Sequence, residues 1–533
     1  MPTDCIPFKD TGYFSKIIID YLNQKTELQS FYGRFPVLEN FKAQIQDKQN
    51  NYSSKNRSVL VKVLQEQYKS LEASQATLSN INLIGKDTTF TVTTGHQLNL
   101  FTGPLYFLHK IVSTINLTKQ LQDTYPNYNF VPVYWMASED HDFEEINYFN
   151  FRGKKIQWNK QVSGIVGDIE TESLKDVFEI VSKELGVGKH ANQLKELFEN
   201  AYLKHQTLAE ATQYLANELF KDYGLVVLDP NHKALKELFV PYLEKEVLEQ
   251  VSFKAVQDTN QHISHLSSDY KIQVNPREIN LFYISKNLRE RIVFEDERYK
   301  VLNTKVSWSK AEILKEINQF PERFSPNVIL RPLYQEVILP NLCYIGGGGE
   351  LAYWFQLKSN FEANQVPFPI LLLRNSVLIQ TEQQAKKLKK LNITNKDIFL
   401  KRDAFINKKV RQISNIDIDF SEQINHLKKQ FKDLYALAEQ TDKSFIGAVA
   451  AQEKKQINGL QHLEKRLLTA QKRKLKDQVE RMTDLQNQLF PYGSLQERNT
   501  NFSELYLEFG QQLIPELIKH LEPLRGEFTI ITI

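Results

Sequence analysis

The sequence predicts an α/β fold: an open, largely parallel sheet carrying inserted subdomains, followed by a C-terminal α-helical coiled coil. Three observations predict it. The stretch from Phe90 to Asn147 reads strand, glycine turn, helix, strand and acidic turn, the pattern of a parallel βαβ unit. The compact apolar runs Leu225-Val-Val-Leu228 and Pro369-Ile-Leu-Leu-Leu373 have the character of strands buried on both faces. From Ser421 onward, apolar or small residues fall in alternating steps of three and four (Ile424, Leu427, Phe431, Leu434, Ala438), the repeat of a coiled-coil seam.

Composition sets the class. The 533 residues exceed one simple core and suggest roughly two to four domains. Aromatic residues at 11% and charged residues at 25% are the composition of a folded globular chain. The net charge of +3 gives no argument for nucleic acid or an anionic membrane as partner. Cys5 and Cys343 cannot build a disulfide framework, which fits a reducing compartment. The first residues lack the pattern of a signal peptide, and no apolar run approaches the roughly 18 to 20 residues that span a bilayer. A soluble, cytoplasmic protein is expected.

Taken in order, residues 1–85 carry apolar positions at helical spacing (Ile18, Tyr21, Leu22, then Val59, Val63, Leu64) and predict an N-terminal helical region. The core is expected over 86–375. Its first strand, Thr88 to Thr94, is rich in β-branched and aromatic residues and ends at Gly95. A helix starting near Gly103 or Pro104 leads to a second strand over Phe130 to Met136, where Pro132 lacks a ladder donor. A charged helical stretch near 154–220 reads as one insertion. Short β segments near 255–325 (Lys271 to Val274, Leu281 to Ser285, Arg291 to Phe294) read as another. Val328 to Arg331 and Pro369 to Leu373 read as the return to the parallel sheet. An antiparallel coiled coil is expected over 376–490, its second run marked by Leu468, Leu475, Met482 and Leu489. Gly447 and Gly459 suggest a hairpin turn or a break in that region. Lys454 to Arg481 holds nine basic and three acidic residues, more in keeping with a solvated coil face than with a phosphate patch. Residues 491–533 form a C-terminal segment packing back on the core, with an apolar tail, Phe528 to Ile533, suited to an edge strand.

Polar residues gather just beyond the strand ends, where open α/β sheets bind ligands. Gly95 permits close approach of a ligand; His96 and Gln97 beside it suit either a site or a turn. Gly103, Pro104 and Tyr106 open the next helix, whose free amides would accept phosphate or carboxylate. Lys110 would add a point charge, and His109 is either a ligand or a core histidine. Glu139, Asp140, His141 and Asp142 form the densest ionisable group, suited to acid/base work or to recognition of an amine, or more plainly to capping the helix that follows. The same group could also bind a divalent metal; neither cysteine has a partner at zinc-finger spacing, so a structural zinc is discounted, no metal ligand is assigned, and a Mg²⁺ brought with a nucleotide is easier to accommodate. Gly346, Gly347, Gly348 and Gly349 cost backbone entropy and could wrap an anion or adenine. They lack the Gly-Lys-Ser/Thr of a Walker loop and the full dinucleotide spacing. Glu350 is a candidate for a ribose hydroxyl or an amine. Arg277, Arg331 and the neighbouring Gln335 are candidates for holding carboxylates, although exposed salt bridges explain the arginines equally well.

The runs Thr94-Gly-His-Gln97, Thr102-Gly-Pro-Leu-Tyr106, His109-Lys110, Glu139-Asp-His-Asp-Phe143, Asn275-Pro-Arg-Glu278, Leu330-Arg-Pro332, Gly346 to Tyr353 and Leu495-Gln-Glu-Arg498 occur in this order. Together they resemble the BshC family, the cysteine-adding ligases of bacillithiol biosynthesis, over nearly the whole chain. Two positions depart from it: His96 stands where many members have glutamine, and Gly348 where proline is common. The resemblance implies a Rossmann-like, nucleotidyltransferase-type core with connecting-peptide insertions and a coiled coil that forms a homodimer. It implies a reaction in which L-cysteine acylates the free amine of glucosaminyl-malate, and a pocket joining the glycine and histidine motif to Asp140, His141, Arg331 and Glu350. A free carboxylate is a poor electrophile, so amide formation needs activation, for which ATP or another nucleotide is the natural source. The residues alone leave two other readings open: a nucleotidyltransferase or amide ligase acting on a different amine, and a non-catalytic coiled-coil scaffold with a degenerate core.

Overall fold

A computed structural model describes residues 3–533. Five parallel strands form the central sheet, in the spatial order Ile370–Leu373, Asn341–Gly346, Thr89–His96, Asn129–Met136, Val226–Leu228. Counted along the chain these are strands five, four, one, two and three. Strands one to three add outward in one direction and strands four and five in the other, so the order reverses between strands one and four, as in doubly wound Rossmann-like sheets. Strands one, four and five are buried along their whole length, as parallel strands covered on both faces must be. In strand two, Val131, Val133 and Trp135 join one apolar cluster while Tyr134 and Met136 join another, the alternation that a strand imposes on its two faces. Pro132 is accommodated because strand three begins pairing one residue later, at Val133. The crossover helix Tyr106–Thr124 is buried from Phe107 to Thr118, which carries His109 and Lys110 into the interior.

The insertions differ in detail from the expectation. The region after strand two opens with a hairpin, Tyr148–Phe151 against Lys154–Gln157, before the helices Leu174–Leu185, Lys189–Tyr202 and Leu208–Phe220. Between strands three and four lies a five-stranded antiparallel sheet built from Leu281–Ser285, Leu288–Glu295, Arg298–Val301, Ser307–Trp308 and Phe324–Pro326. Lys271 to Val274 is not a strand, because the amides of Gln273 and Val274 are taken by the Gln356 side chain at 2.8 and 3.1 Å. Val328 to Leu330 is not a strand either. Asn327 Oδ1 accepts from the amides of Ile329 and Leu330 and starts the helix Arg331–Ile338, with Pro332 in its first turn. The fourth core strand is Asn341–Gly346, a segment to which the sequence reading assigned no strand.

The chain ends also depart. Residues 1–85 are helical from Lys16 onward, but Thr3–Pro7 is a strand. It pairs antiparallel with Glu527–Thr532, which pairs parallel on its other side with Val377–Gln380. The C-terminal tail is therefore the centre of a second sheet and not an edge. The coil is an antiparallel hairpin of Ser421–Ala438 and Lys443–Lys474, with Tyr435 bonded to Glu453 and the Phe420 amide to Glu464. It turns at residues 439–442, where Asp442 caps the second helix through the Ser444 amide. Gly447 and Gly459 lie inside that helix and neither turn nor break it. No helix of the described residues is long and apolar enough to cross a membrane.

Candidate functional site

All five carboxyl ends of the core strands open onto one cavity of about 860 Å³. Strand one contributes Gly95, His96 and Gln97; strand two, Trp135 to Ala137 with Glu139 and Asp140; strand three, Pro230; strand four, Gly347 to Glu350; strand five, Arg374. Tyr106 and Lys110, four residues apart on the crossover helix, reach it from one helix face. The inserted subdomain adds Arg289 and the C-terminal segment adds Arg498. The cavity therefore sits where the sheet order reverses, the position at which such folds bind ligands.

One wall is a buried ion-pair cluster. Lys110 Nζ lies 2.6 Å from Glu350 Oε1 and donates to the Gly95 carbonyl at 2.7 Å. The Tyr344 hydroxyl donates to Glu350 Oε2 at 2.7 Å and the Gly347 amide to Oε1 at 3.0 Å. Burial pushes the Glu350 carboxyl up, but Lys110, Tyr344 and the Gly347 amide together hold it below its ordinary range. Burial lowers Lys110, with Glu350 opposing. Arg331 donates to the Tyr353 hydroxyl at 2.9 Å and to Gln335 at 3.2 Å. Space explains the glycine that begins the run, since a Cβ on Gly346 would stand 2.9 Å from Leu351 Cδ1; at Gly349 a Cβ would meet nothing within 4 Å, and crowding does not require glycine there.

The other wall is acidic and more open. Glu139 pairs with the buried Lys236 at 2.6 Å. Gln97 donates to Asp140 at 3.0 Å and to Glu145 at 2.9 Å, clamping the two carboxylates side by side. Burial pushes Asp140 up, yet contacts from His141, Gln97 and Arg289 hold it well below the usual carboxylate range. His141 Nδ1 accepts from Arg289 at 2.8 Å, closer than its 3.5 Å approach to Asp140 Oδ1. Between the walls, burial and then the Lys110 charge push His96 well below the ordinary histidine value. It is a neutral imidazole, and its Nε2 has no hydrogen-bond partner.

Several expected site residues stand elsewhere. The crossover helix begins at Tyr106 and not at Gly103 or Pro104. The Gly103 and Leu105 amides are taken by the Leu100 and Thr500 carbonyls at 2.9 and 2.8 Å, and Pro104 has no amide, so the expected run of free amides at Gly103 and Pro104 is not there. Gly103 has a positive φ of 63°, and a Cβ there would meet Asn99 at 2.7 Å; it is a packing glycine. Pro104 bridges to Asn501. His109 lies behind the cavity against Glu497 at 3.3 Å, and burial lowers its pKa although Glu497 opposes. His141 and Asp142 are exposed beside the acidic wall, Asp142 ahead of the short helix Phe143–Ile146. Arg277 is exposed and does not line the cavity. Gln335 is fully buried behind Arg331, and Gly346 packs below the lining.

The sequence reading missed Glu145, Arg289, Tyr344, Tyr353, Arg374 and Arg498 as lining residues. The strand-end rule would have found Arg374, which directly follows Ile370–Leu373. Arg374 donates to Glu497 at 2.8 Å, and the Val377 amide reaches the same carboxylate at 2.9 Å. Arg498 is thereby carried to the cavity by the segment after the coil, a placement with no local signal.

Comparison with known proteins agrees with this architecture. A family described as Bacillithiol biosynthesis BshC, N-terminal Rossmann-like domain, matches residues 1–375, and its C-terminal coiled-coil domain matches residues 377–533. A protein of Flavobacterium johnsoniae is 59% identical over 100% of both chains. One from Christiangramia forsetii is 57% identical over 100% of this chain and 99% of its own. One from Cytophaga hutchinsonii is 38% identical over 97% of this chain and 96% of its own. All three carry the provisional name cysteine ligase BshC. The chain belongs to the BshC family.

Proposed function

We propose that this BshC-family chain is a ligase that joins the carboxyl of L-cysteine to the free amine of glucosaminyl-malate, giving bacillithiol. The observation that carries the reading is the partition of charge across one cavity. Glu139, Asp140 and Glu145 stand on one side with Arg289 beside them, and Lys110, Arg331, Arg374 and Arg498 on the other with Glu350 paired to Lys110, so one side stays net negative and the other net positive. An aminosugar linked to a dicarboxylic acid has the same division, an ammonium at one end and carboxylates at the other. Asp140, kept ionised by its contacts, attracts and orients the amine. Guanidinium groups at Arg331 and Arg498 offer the planar donor pairs that match the malate carboxylates.

For ligation the amine nitrogen attacks the cysteine carbonyl carbon, the C–N bond forming as the bond to a leaving group breaks. Before that attack the ammonium gives one proton to Glu145 at the exposed mouth of the acidic wall, which frees the nitrogen lone pair, and the second proton passes to solvent as the amide forms. ATP or another nucleotide would supply that leaving group. Lys110 and Arg374, beside the open Gly347 to Gly349 turn, are the residues that would hold its phosphates. Among the described residues no three His, Cys, Asp or Glu side chains converge to hold a metal ion, so Mg²⁺ in this reading is carried by the nucleotide's own phosphates. His96, neutral and buried, serves as a hydrogen-bonding wall and not as a store for a proton. The coil in this reading pairs two copies, since Leu434, Leu437, Phe445 and Leu463 stay exposed on it; sedimentation of the full chain tests this.

Calorimetric titration of glucosaminyl-malate tests the substrate reading. Asp140→Asn and Arg498→Ala should each weaken binding, and N-acetylation of the ligand should abolish the effect of Asp140→Asn alone. Wild-type affinity in both variants would sink it.

A further inference from the structure

Behind the cationic wall runs a chain of buried polar side chains that the proposed reaction does not touch. Arg331 Nη1 donates to Gln335 Oε1 at 3.2 Å, and the Gln335 amide nitrogen donates to Glu336 Oε1 at 3.1 Å. The other Glu336 oxygen pairs with Lys48 Nζ at 3.0 Å. Lys48 and Glu336 are each 1% exposed, and Gln335 is fully buried. Asn341 holds Glu336 Oε1 at 2.6 Å while its own Oδ1 accepts from Thr93 at 2.8 Å, which ties the carboxylate to strands one and four.

A buried ion pair is by itself weak evidence for stability. This chain has a fixed polarity. Burial pushes the Glu336 carboxyl up while Lys48, Asn341 and Gln335 oppose, and both of its oxygens face N–H donors, so Gln335 must turn its NH₂ to Glu336 and its carbonyl to Arg331, which can only donate. Flipping the amide would set its carbonyl against the Glu336 carboxylate and its NH₂ against the Arg331 guanidinium, like against like at both ends. Order at the buried end, on the helix Leu38–Asn51, is thus passed to a guanidinium at the cavity.

We infer that Gln335, Glu336 and Lys48 are positioning residues that hold the Arg331 guanidinium in the orientation that receives a substrate carboxylate. The inference rests on the reading of Arg331 given above. L-malate is the probe, titrated into the full chain. Glu336→Gln keeps the side-chain volume but frees the Gln335 amide to flip. It should weaken L-malate binding roughly tenfold, the loss of one charge-assisted hydrogen bond. Arg331→Gln should lose at least as much, and the double variant no more than Arg331→Gln alone. Glu336→Asp should recover most of the affinity. Additive losses, or wild-type affinity in Glu336→Gln, would overturn the relay. Should Glu336→Gln not fold, Gln335→Met, which leaves the Lys48–Glu336 pair intact, carries the same expectations. A crystal structure of the folded variant gives a second measurement free of ligand: Arg331 should leave the Tyr353 hydroxyl, and an unmoved Arg331 overturns the proposal. If Arg331→Gln leaves L-malate binding unchanged, the substrate reading fails instead, and the crystal structure still decides the relay.

Discussion

The strand-end cavity and the Lys454 to Arg481 face of the coil both concentrate ionisable side chains, and they use them in opposite ways. In the cavity, the Lys110 side chain is 4% exposed and lies 2.6 Å from Glu350. On the helix Lys476–Leu489, which follows the second helix of the coil, the pair Lys476–Glu480 is 72% and 59% exposed and 3.6 Å apart. Desolvated charges depend on their partners, because removing one leaves the other buried and uncompensated. Solvated charges are screened, and a pair of them contributes little. Density of charge in a sequence therefore says little about chemistry; burial and pairing decide it.

The largest effect expected is at Lys110. Lys110→Met should cost roughly 3 kcal/mol in chemical denaturation by stranding Glu350 and should lower product formation by about two orders of magnitude. Adding Glu350→Gln should recover much of the stability and none of the activity. Unchanged stability in Lys110→Met would break the contrast between the two regions.

Next comes Asp140→Asn, which should lower product formation roughly 10- to 100-fold, the range for a lost charged hydrogen bond. Its folding stability should stay near that of the wild type. A variant that loses its fold would show Asp140 to be structural.

A pH titration sharpens the same contrast. The pKa values of His96 and His109 are lowered by burial, so below their ordinary value of about 6.5 the unfolded chain binds protons that the folded chain does not. Their contribution is present above about pH 6.5 and is lost as pH falls from there through the folded values. Each has a limiting slope of about 1.4 kcal/mol per pH unit. Denaturation measured between about pH 6.5 and 5 should show this acid limb, and His109→Gln should flatten it. An unchanged slope in His109→Gln would contradict the lowered pKa of His109.

The smallest effect is expected on the coil. Replacing Lys472, Arg473 and Lys474 by glutamine should change stability by no more than about 0.5 kcal/mol each and leave activity intact. Lost activity would show that the coil face takes part in the chemistry.

Much of this site is legible in the sequence because it follows local rules. The βαβ pattern places Gly95 to Gln97 and Glu139 to Asp140 at strand ends, and the glycine run marks the turn before Glu350. What is not legible depends on partners distant in the chain. Strand four is hidden because its glycine end reads as a loop. The tail becomes a central strand because Thr3–Pro7 and Val377–Gln380 converge on it. Gly103 and His109 resemble site residues locally, and only the return of Asn501 and Glu497 shows them to be structural. Arg498 enters the cavity through the same return.

The most direct test is a thiol profile of a strain lacking this gene, complemented with the wild type, Lys110→Ala or the triple coil variant, each checked for soluble, folded protein. The expected result is that bacillithiol vanishes and glucosaminyl-malate accumulates in the deletion strain. The wild type and the coil variant should restore bacillithiol, and Lys110→Ala should not. Restoration by Lys110→Ala, or bacillithiol persisting in the deletion strain, would contradict the assignment of ligation to the strand-end cavity.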